Sequence, residues 1–309
     1  MIVGVTGGTG FIGKSLILRH IQEGDGVRLL SRNPGHESKL SKSVKYYRGD
    51  LTGKSSDLID FVDGIDILYH CAGETNDQGK MNAVHITGTK NLCEAASGKI
   101  GHWVQLSSVG VYGFHSGGII TEETPLNPVG IYEASKTESD QIVISTSQKG
   151  GFSYSILRPS NVYGSGMSNQ SLFQMIFMIK KRLFFFIGDP GAVMNYIHVD
   201  NVVDALIRCG NLPAAKNRIY NLSDSCTIEH FVSIITEKLN LPKPKLRLPE
   251  WPIRRISSLF AWAPWFPLTK TRVDALTGRA RYSYSRICDE LSYTHRITLD
   301  EGIRQFVGK

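Results

Sequence analysis

The chain has 309 residues, with 35 Lys and Arg against 28 Asp and Glu and a net charge of +7. This length suffices for one large domain with a smaller appendage, and the scattered basic residues do not indicate a nucleic-acid-binding protein. Five widely spaced cysteines without a Cys-x-x-Cys pair do not indicate a disulfide framework or a zinc site, and they favour a reducing compartment such as the cytoplasm; we expect no metal site.

The opening residues predict a strand, a glycine turn and a helix. Residues 2–5 predict a short buried strand, and apolar residues recur at helical spacing over 11–17. The glycines between them fit two spacings of the dinucleotide-binding fingerprint, Gly8-x-Gly10-x-x-Gly13 and Gly7-x-x-Gly10-x-x-Gly13. The pyrophosphate of a dinucleotide would lie at the N–H groups of the helix start. The expected cofactor contacts here are Gly7, Gly10, Phe11 and Ile12.

The end of the second predicted strand bears on the choice of cofactor. Residues 27–30 predict this strand, and Ser31-Arg32-Asn33 follows it. An acidic residue at this place binds the ribose 2'-hydroxyl of NAD, whereas an arginine accommodates the additional phosphate of NADP. No acid follows the strand here and Arg32 does, so we expect NADP rather than NAD. The alternative is that Arg32 is only a surface cation.

Further strands alternate with helical segments and predict a parallel sheet. The predicted strands are 44–46, 65–69, 103–106 and 154–157, and helices are predicted at 81–97 and 132–148. In such a sheet the ligand lies at the carboxyl ends of the strands. Asp50 is placed to reach an adenine edge, and the small residues Ala72 and Gly73 leave room for the cofactor. The expected cofactor contacts in this region are Asp50, Leu51, Ala72 and Gly73.

After about residue 165 the pattern becomes mostly helical. Helices are predicted at 172–183, 196–208, 227–239, 269–276 and 285–291, a short strand at 184–187 and a last sheet strand at 220–222. Thr298-x-x-Glu301 is a capping-box signature for a final helix. We expect residues 1–164, with returning segments near 191–225, to form the nucleotide-binding domain. Residues 165–190 and 226–309 are expected to form a smaller substrate-binding domain over its mouth.

No stretch of the sequence predicts a membrane span. The N-terminus does not have the pattern of a signal peptide. The most apolar stretch, 251–268, contains two arginines and three prolines, whereas a spanning helix needs about twenty apolar residues in a row. We expect its aromatic residues to form a pocket lid, with contact to a membrane surface or a second subunit as the alternative. They are Trp251, Phe260, Trp262, Trp265 and Phe266.

In combination, these motifs resemble the extended short-chain dehydrogenase/reductase family, which includes NAD-dependent epimerases and dehydratases. The resemblance covers nearly the whole chain. It is carried by residues 6–13, Gly49-Asp50-Leu51, Gly88-Thr89-x-Asn91-Leu92, 107–113, Tyr132-x-x-x-Lys136, 158–164 and 198–200. It implies an α/β fold with a Rossmann-type doubly wound parallel sheet, a nicotinamide cofactor and a smaller, mostly helical C-terminal substrate domain. It also implies a homodimer that packs the helices around 82–97 and 132–148.

The resemblance also assigns roles to three polar side chains. Tyr132 matches the general acid/base, and Ser108 matches the hydroxyl partner at the substrate oxygen. Lys136, one turn from Tyr132 on the same helical face, matches the residue that stabilises the phenolate together with the oxidised nicotinamide and holds the ribose hydroxyls. A phenol with a reference pKa near 10 needs such help at neutral pH. Tyr132 and Lys136 are thus also cofactor contacts, and Ser108, Val109 and Asn161 are the expected substrate contacts.

The sequence departs from the family pattern at several places. Val109 and Gly110 replace the Asp-Glu pair of the dehydratases, which argues against dehydration. His85 replaces an asparagine near the cofactor and is expected to be a helix residue with satisfied hydrogen bonds rather than a catalyst. Met194 replaces an arginine that often binds a sugar diphosphate, which weakens the expectation of such a substrate. Further candidates for phosphate contact are Arg272, Arg279 and Arg281.

Two enzymatic functions remain open at this point. The first is hydride transfer at a hydroxyl or keto carbon of a nucleotide-activated sugar, by a 4-ketoreductase or 4-epimerase. Asn161 supports it, because the matching position of nucleotide-sugar relatives contacts substrate phosphates. The alternative is a 3-beta-hydroxysteroid dehydrogenase-like enzyme that acts on an apolar alcohol or ketone. The segments 266–269 and 289–291 resemble the tail of such enzymes, and the aromatic stretch would suit an apolar substrate. A non-catalytic dinucleotide-binding regulator would not need Ser108, Tyr132 and Lys136 at this spacing.

Overall fold

Short strands alternate with helices along most of the chain. The computed structural model describes residues 1–33, 43–167, 170–260, 262 and 268–308. Its strands are β1 (Ile2–Thr6), β2 (Gly26–Ser31), β3 (Val44–Arg48), β4 (Ile67–His70), β5 (His102–Leu106), β6 (Gly117–Ile120), β7 (Ser153–Pro159), β8 (Asn161–Tyr163), β9 (Phe186–Ile187), β10 (Val193–His198), β11 (Arg218–Leu222), β12 (Asp224–Thr227), β13 (Arg247–Leu248) and β14 (Arg279–Tyr282). Its helices are α1 (Phe11–Gln22), α2 (Ser55–Val62), α3 (Gln78–Asn82), α4 (Gly88–Ala96), α5 (Ile131–Gln148), α6 (Gln170–Lys180), α7 (Val199–Asn211), α8 (Ile228–Lys238), α9 (Glu250–Leu259), α10 (Lys270–Thr277), α11 (Ser285–Leu291) and α12 (Leu299–Val307).

A parallel seven-stranded sheet is the centre of the fold. Its strand order is β11-β7-β5-β4-β1-β2-β3. β1 pairs with β2 on one side and with β4 on the other, so the strand order reverses at β1. Ligands of open α/β sheets bind at the carboxyl ends of the strands around such a reversal. The segments that leave the sheet there are 7–10, 71–74 and 107–113.

Helices cover both faces of this sheet. Successive residues of a strand point to opposite faces, so Leu68 and Tyr69 of β4 enter two different apolar clusters. Tyr69 packs with Leu16 of α1 and Val202 of α7, whereas Leu68 packs in the cluster beneath α2, α4 and α5 that also holds Trp103. Burial of each such large side chain stabilises the fold by about 1.5–3 kcal/mol. The observed architecture is therefore the doubly wound α/β fold that the sequence predicts.

The C-terminal half carries small sheets that the sequence did not predict. β8, β10 and β12 form one of them, β9 pairs with β13, and β14 from near the C-terminus pairs with β6. A second apolar core lies here, and it includes Tyr163, Met194, Phe231 and Ile303. This part of the chain is helical, as expected, but its helices pack on strands as well as on one another. The division at residue 164 stays a prediction.

The predicted elements agree with the observed ones in most of the chain. The strands of the first 160 residues are confirmed within a few residues, and the capping box at Thr298 and Glu301 is present in both of its hydrogen bonds. The helix predicted from 196 is wrong at its start, because Val193–His198 is a strand paired with β8 and β12 and the helix begins at Val199. The helix predicted over 81–97 is interrupted by a π-helical turn, Ala83–Thr87. Within the described residues no helix has both the length and the apolar character needed to cross a bilayer.

Candidate active site

The glycine turn brings the start of α1 close to the ends of β1 and β4. Gly7 has a positive φ of 68°, and a Cβ atom there would lie 2.5 Å from the backbone nitrogen of Ala72. A Cβ atom on Gly13 would lie 2.3 Å from the Gly7 carbonyl oxygen, so α1 can approach the turn only because both residues are glycine. Gly10 caps α1 without a side chain, and the first turn contains no acidic residue. These features fit a pyrophosphate, which would be held by the uncapped N–H groups of the helix start.

The residues expected at the adenine end of a dinucleotide lie on neighbouring strand ends. Asp50 accepts hydrogen bonds at 2.8 Å from both the backbone N–H and the hydroxyl of Thr52. The Thr52 backbone bond lowers the Asp50 pKa, and the charge of the exposed Arg32 lowers it further, so these two side chains are close enough to interact. Leu51 is buried in the core beneath the sheet. Arg32 and Asp50 thus share one edge of the candidate cofactor site.

The structure brings Ser108 and Tyr132 together. Ser108 follows the end of β5, and its hydroxyl accepts a hydrogen bond from the Gly110 backbone N–H at 3.1 Å. A hydrogen bond with Ser108 acts to lower the pKa of Tyr132, but burial is the larger effect and Glu133 adds to it, raising that pKa to about 12. The expected lowering of the Tyr132 pKa by Lys136 is not found among the chain's own groups. Tyr132 therefore holds its proton at neutral pH, as a proton donor must.

Lys136 is anchored beneath Tyr132 rather than bonded to it. Its side chain is only 4% exposed, and Nζ donates a hydrogen bond of 2.5 Å to the carbonyl oxygen of Leu106 at the end of β5. Burial lowers the Lys136 pKa, and the negative charge of Asp140 opposes this shift. Because an ammonium group has three donors, two remain for other partners, so the residue can also hold ribose hydroxyls.

A buried ion pair supports the catalytic segment from below. Asp140 lies one turn after Lys136 on α5, and its Oδ2 accepts bonds from Ser107 at 2.8 Å and from the Arg158 guanidinium at 3.1 and 3.3 Å. Arg158 also donates to the Tyr112 hydroxyl at 3.0 Å. Burial raises the Asp140 pKa, while the charges of Arg158 and Lys136 act to lower it. This network ties the residues on both sides of Ser108 to α5 and β7.

His85 connects the cofactor loop to α5. It lies in the π-helical turn, its Nε2 accepts the Glu74 backbone N–H at 2.9 Å, and its Nδ1 is 2.7 Å from the Ser135 hydroxyl. Because Nε2 accepts a hydrogen bond, we assign the ring proton to Nδ1. Burial lowers the His85 pKa to about 4, and the nearby Lys136 contributes. His85 is thus a neutral residue with satisfied hydrogen bonds, as the sequence predicts, and its ring lies 5.6 Å from that of Tyr132.

The expected substrate contacts are only partly assembled around Ser108. Asn161 is exposed, and its amide donates to the Asn195 carbonyl oxygen at 3.1 Å. Val109 is buried among apolar residues that include Ile120 and Ala280. Met194 is buried in the second apolar core, so it replaces the family's arginine with a side chain that cannot bind phosphate.

Three exposed arginines of the C-terminal half differ in their surroundings. Arg279 donates to the Asp189 carbonyl oxygen at 3.2 Å, and Arg272 donates to the Gln174 side chain at 2.6 Å. The charge of Arg281 acts on Cys226, which lies opposite Met194 in the pairing of β10 and β12. Arg281 is therefore a cation near the place that Met194 leaves apolar.

The aromatic stretch is more exposed than a packed lid would be. The side chain of Trp251 is 73% exposed and that of Trp262 is 76% exposed, so neither ring lines an enclosed pocket. Phe260 lies at the end of α9. Trp265 and Phe266 fall outside the described residues.

Comparison with known proteins agrees with this geometry. A sequence model described as the NAD dependent epimerase/dehydratase family matches residues 3–223, about the whole sheet. The chain belongs to this family. Membership explains why the glycine turn, the Tyr-x-x-x-Lys helix and the doubly wound sheet occur together. The protein is an NAD-dependent enzyme of the short-chain dehydrogenase/reductase type.

Relatives within the family fall into both substrate classes that the sequence left open. The chain is 26% identical to 3beta-hydroxysteroid-dehydrogenase/decarboxylase isoform 1 of Arabidopsis thaliana, over 98% of this chain and 78% of the plant protein. It is 23% identical to UDP-glucose 4-epimerase of Vibrio cholerae, over 97% and 93% of the two chains. The solved structure of MoeE5 in complex with UDP-glucose and NAD superimposes with a TM-score of 0.76 at 21% identity, covering 99% and 97% of the two chains.

The support beneath the site was missed at the sequence level. Asp140 follows Lys136 by four residues, so it lies on the same helical face as the two expected catalytic residues, and this spacing was a usable signal. Its partner Arg158 is 18 residues away on another element, and nothing in the local pattern indicates their pairing. The role of His85 was equally hidden, because both of its partners are distant in sequence.

Proposed function

We propose that the protein catalyses hydride transfer at a hydroxyl or keto carbon of a nucleotide-activated sugar, as a 4-ketoreductase or a 4-epimerase. The observation that carries this proposal is the placement of Ser108, Tyr132 and Lys136 at the carboxyl edge of the sheet, next to an open glycine turn. A nicotinamide cofactor, when bound, supplies or receives the hydride. We assign Tyr132 and Lys136 both to catalysis and to cofactor binding.

The chain's own residues provide the proton chemistry. Ser108 would hold the substrate oxygen, and the protonated hydroxyl of Tyr132 would donate its proton to that oxygen during reduction. The high Tyr132 pKa favours this direction, because the donor is fully protonated at neutral pH. Lys136, fixed by Leu106, would hold the ribose and supply positive charge when the phenolate forms. Val109 and Gly110 offer no acid pair, so we do not propose a dehydration step.

The sugar substrate is favoured over an apolar alcohol by the polar surface near the site. Asn161 is open to solvent and Arg281 lies near the buried Met194, so an amide and a guanidinium are available for a diphosphate. The Vibrio cholerae relative is a UDP-glucose 4-epimerase, and its match with this chain covers 93% of its length. The plant hydroxysteroid relative supports the alternative, but the exposed rings of Trp251 and Trp262 do not form an apolar pocket for a steroid.

A thermal shift distinguishes these substrates. At a hundred times its dissociation constant, UDP or thymidine diphosphate should stabilise the protein by about 2.7 kcal/mol. We expect Arg281→Gln to reduce this shift, whereas Lys216→Gln, an exposed residue outside the candidate site, should leave it unchanged. Stabilisation by a sterol, with no response to either nucleotide, would replace the sugar proposal with the hydroxysteroid one.

We also propose that NADP is preferred over NAD. Support comes from Arg32, which follows β2 where an acid would select NAD. Some similar structures contain NAD, so the preference must be measured. Arg32→Ala should weaken NADPH binding by about tenfold or more, equivalent to 1.4 kcal/mol, and leave NADH binding nearly unchanged. An equal loss for both cofactors would show that Arg32 does not bind the phosphate.

We propose that the protein forms the expected homodimer and that its interface is the surface formed by α4 and α5. A groove of about 410 Å³ lies between these helices and is lined mainly by polar side chains, including Lys90, Glu94, Glu138, Gln141 and Lys149. Light scattering after gel filtration should give twice the chain mass of 34.3 kDa.

We further propose a cytoplasmic location, which the five free thiols support. We also propose that residues 165–190 and 226–309 form the substrate-binding domain.

A further inference from the structure

Helix α9 carries its large apolar side chains on the outside of the protein. Trp251 is 73% exposed, Leu259 is 71% exposed, and Trp262, just beyond the helix, is 76% exposed. Trp251, Arg255 and Leu259 are each one helical turn apart, so they share one face. We call this surface, together with Trp262, the outer α9 face. Large apolar groups concentrated at one place on a surface mark a site of interaction.

The opposite side of α9 fixes its orientation. Ile253 is buried in a cluster with Val273 of α10. Arg254 donates hydrogen bonds of 2.6 Å to Glu250 and of 2.6 Å to Asp274. Rotation of α9 to bury Trp251 would break the apolar contact and the ion pair of Arg254 with Asp274 on α10. The apolar residues of the outer α9 face are therefore held outward by specific contacts.

The exposed charged residues of the segment that carries this face, residues 250–278, are all basic. Between residues 250 and 278 the only acids are Glu250 and Asp274, and Arg254 binds both of them. The exposed cations of this segment are Arg255, Lys270 and Arg272, of which Arg272 also donates a hydrogen bond to Gln174. Within residues 250–278, the outer α9 face thus combines indole rings and a leucine with exposed cations, and both carboxylates of this segment are paired with Arg254.

We propose that the outer α9 face binds the surface of an anionic lipid bilayer, with α9 lying parallel to the membrane plane. Indole rings favour the boundary between headgroups and acyl chains, and basic side chains are attracted to anionic headgroups. Helices that lie in this boundary carry apolar aromatic residues on one face with basic residues beside them. The protein would then be a peripheral enzyme, attached without a spanning helix.

A second copy of the chain is a poorer occupant. A symmetric dimer places the same surface on both partners, so the cations of one copy would oppose those of the other. The proposal is independent of the proposed reaction, because Trp251, Arg255 and Leu259 are not among the residues assigned to catalysis, cofactor or substrate. Failure of one leaves the other intact.

Sedimentation with lipid vesicles tests this binding. The full chain should bind vesicles of phosphatidylcholine with phosphatidylglycerol, bind pure phosphatidylcholine vesicles more weakly, and lose binding as salt is raised. The tryptophan emission should shift to shorter wavelength on binding. Trp251→Ser with Leu259→Ser should weaken binding by about tenfold or more, because two large apolar side chains no longer enter the lipid. Arg255→Glu with Lys270→Glu should weaken binding to the anionic vesicles only.

Matched variants control for nonspecific binding to the vesicles. Ile119→Ser removes an apolar side chain that is equally exposed on β6, and Lys216→Glu reverses an exposed cation outside α9 and α10; both should bind as the original chain does. No binding to anionic vesicles, or undiminished binding by the Trp251 and Leu259 variant, would overturn the proposal. Loss of several degrees in the melting temperature of that variant would also overturn it, because the face would then be covered within the protein. Loss of a self-association seen without lipid would assign the face to a second copy.

Discussion

Two regions of this protein depart from the usual distribution of side chains, in which charged groups are exposed and apolar groups are buried. Beneath Tyr132, the charged groups Lys136, Asp140 and Arg158 are buried, whereas on α9 the apolar rings of Trp251 and Trp262 are exposed. Buried charges cost free energy unless they are paired, and exposed rings forgo the gain of burial. Neither arrangement is what stability alone would select. The comparison teaches that such departures point to function, which is chemistry in one region and contact with a partner in the other.

The largest expected effect tests the chemical region directly. Tyr132→Phe removes one hydroxyl and keeps the ring against His85, so the fold and cofactor affinity should be nearly unchanged. Turnover should fall by about 10² to 10⁴-fold, because the substrate oxygen loses its proton donor. Steady-state rates and cofactor fluorescence measure the two effects separately. Tyr154→Phe, a partly exposed tyrosine elsewhere, is the control, and retained turnover in Tyr132→Phe would remove the proposed role.

The second prediction compares how much side chains in the two regions contribute to the free energy of unfolding. Arg158→Met leaves Asp140 buried without its partner, and should lower the free energy of unfolding by about 3–5 kcal/mol. Adding Asp140→Asn removes the stranded charge and should restore part of this loss. Trp251→Ser, at an exposed position, should change stability by less than about 0.5 kcal/mol. Urea unfolding measures all three, and equal losses in both regions would contradict the comparison.

A smaller effect appears on acidification. Burial lowers the pKa of His70 to about 3 and that of His102 to about 4, from 6.5. The unfolded chain therefore binds protons below about pH 6.5 that the folded chain does not, so the free energy of unfolding decreases as pH falls. Each histidine contributes about 1.4 kcal/mol per pH unit between 6.5 and its folded pKa. Urea midpoints between pH 7 and 5 test this, and His102→Asn should flatten the slope.

The difference between the regions also explains what the sequence could reveal. The glycine turn, the strand ends and the pairing of Ser108 with Tyr132 depend on short motifs and on strand periodicity, which are local. The bond from Lys136 to Leu106 and the pair of Asp140 with Arg158 join distant segments, and no local pattern specifies them. The raised pKa of Tyr132 in the chain without cofactor could not be predicted for the same reason, since it depends on how the chain packs around the hydroxyl.

The C-terminal half was harder to predict on similar grounds. Its strands are only two to six residues long, and β14 pairs with β6 across more than half of the chain. Such pairing leaves little periodicity in either segment. On α9, an apolar pattern indicated burial, but the contacts of Ile253 and Arg254 select the opposite orientation.

The pairing of β14 with β6 has a consequence for the order in which the protein is made. Gly117–Ile120 follows the Ser108 segment closely, yet its partner, Arg279–Tyr282, leaves the ribosome long afterwards. A nascent chain can therefore build the nucleotide-binding sheet and present Tyr132 early, since N-terminal units fold first during synthesis. The pairing of β6 with β14 forms only when translation is nearly finished, so this small sheet is among the last parts of the fold to be completed.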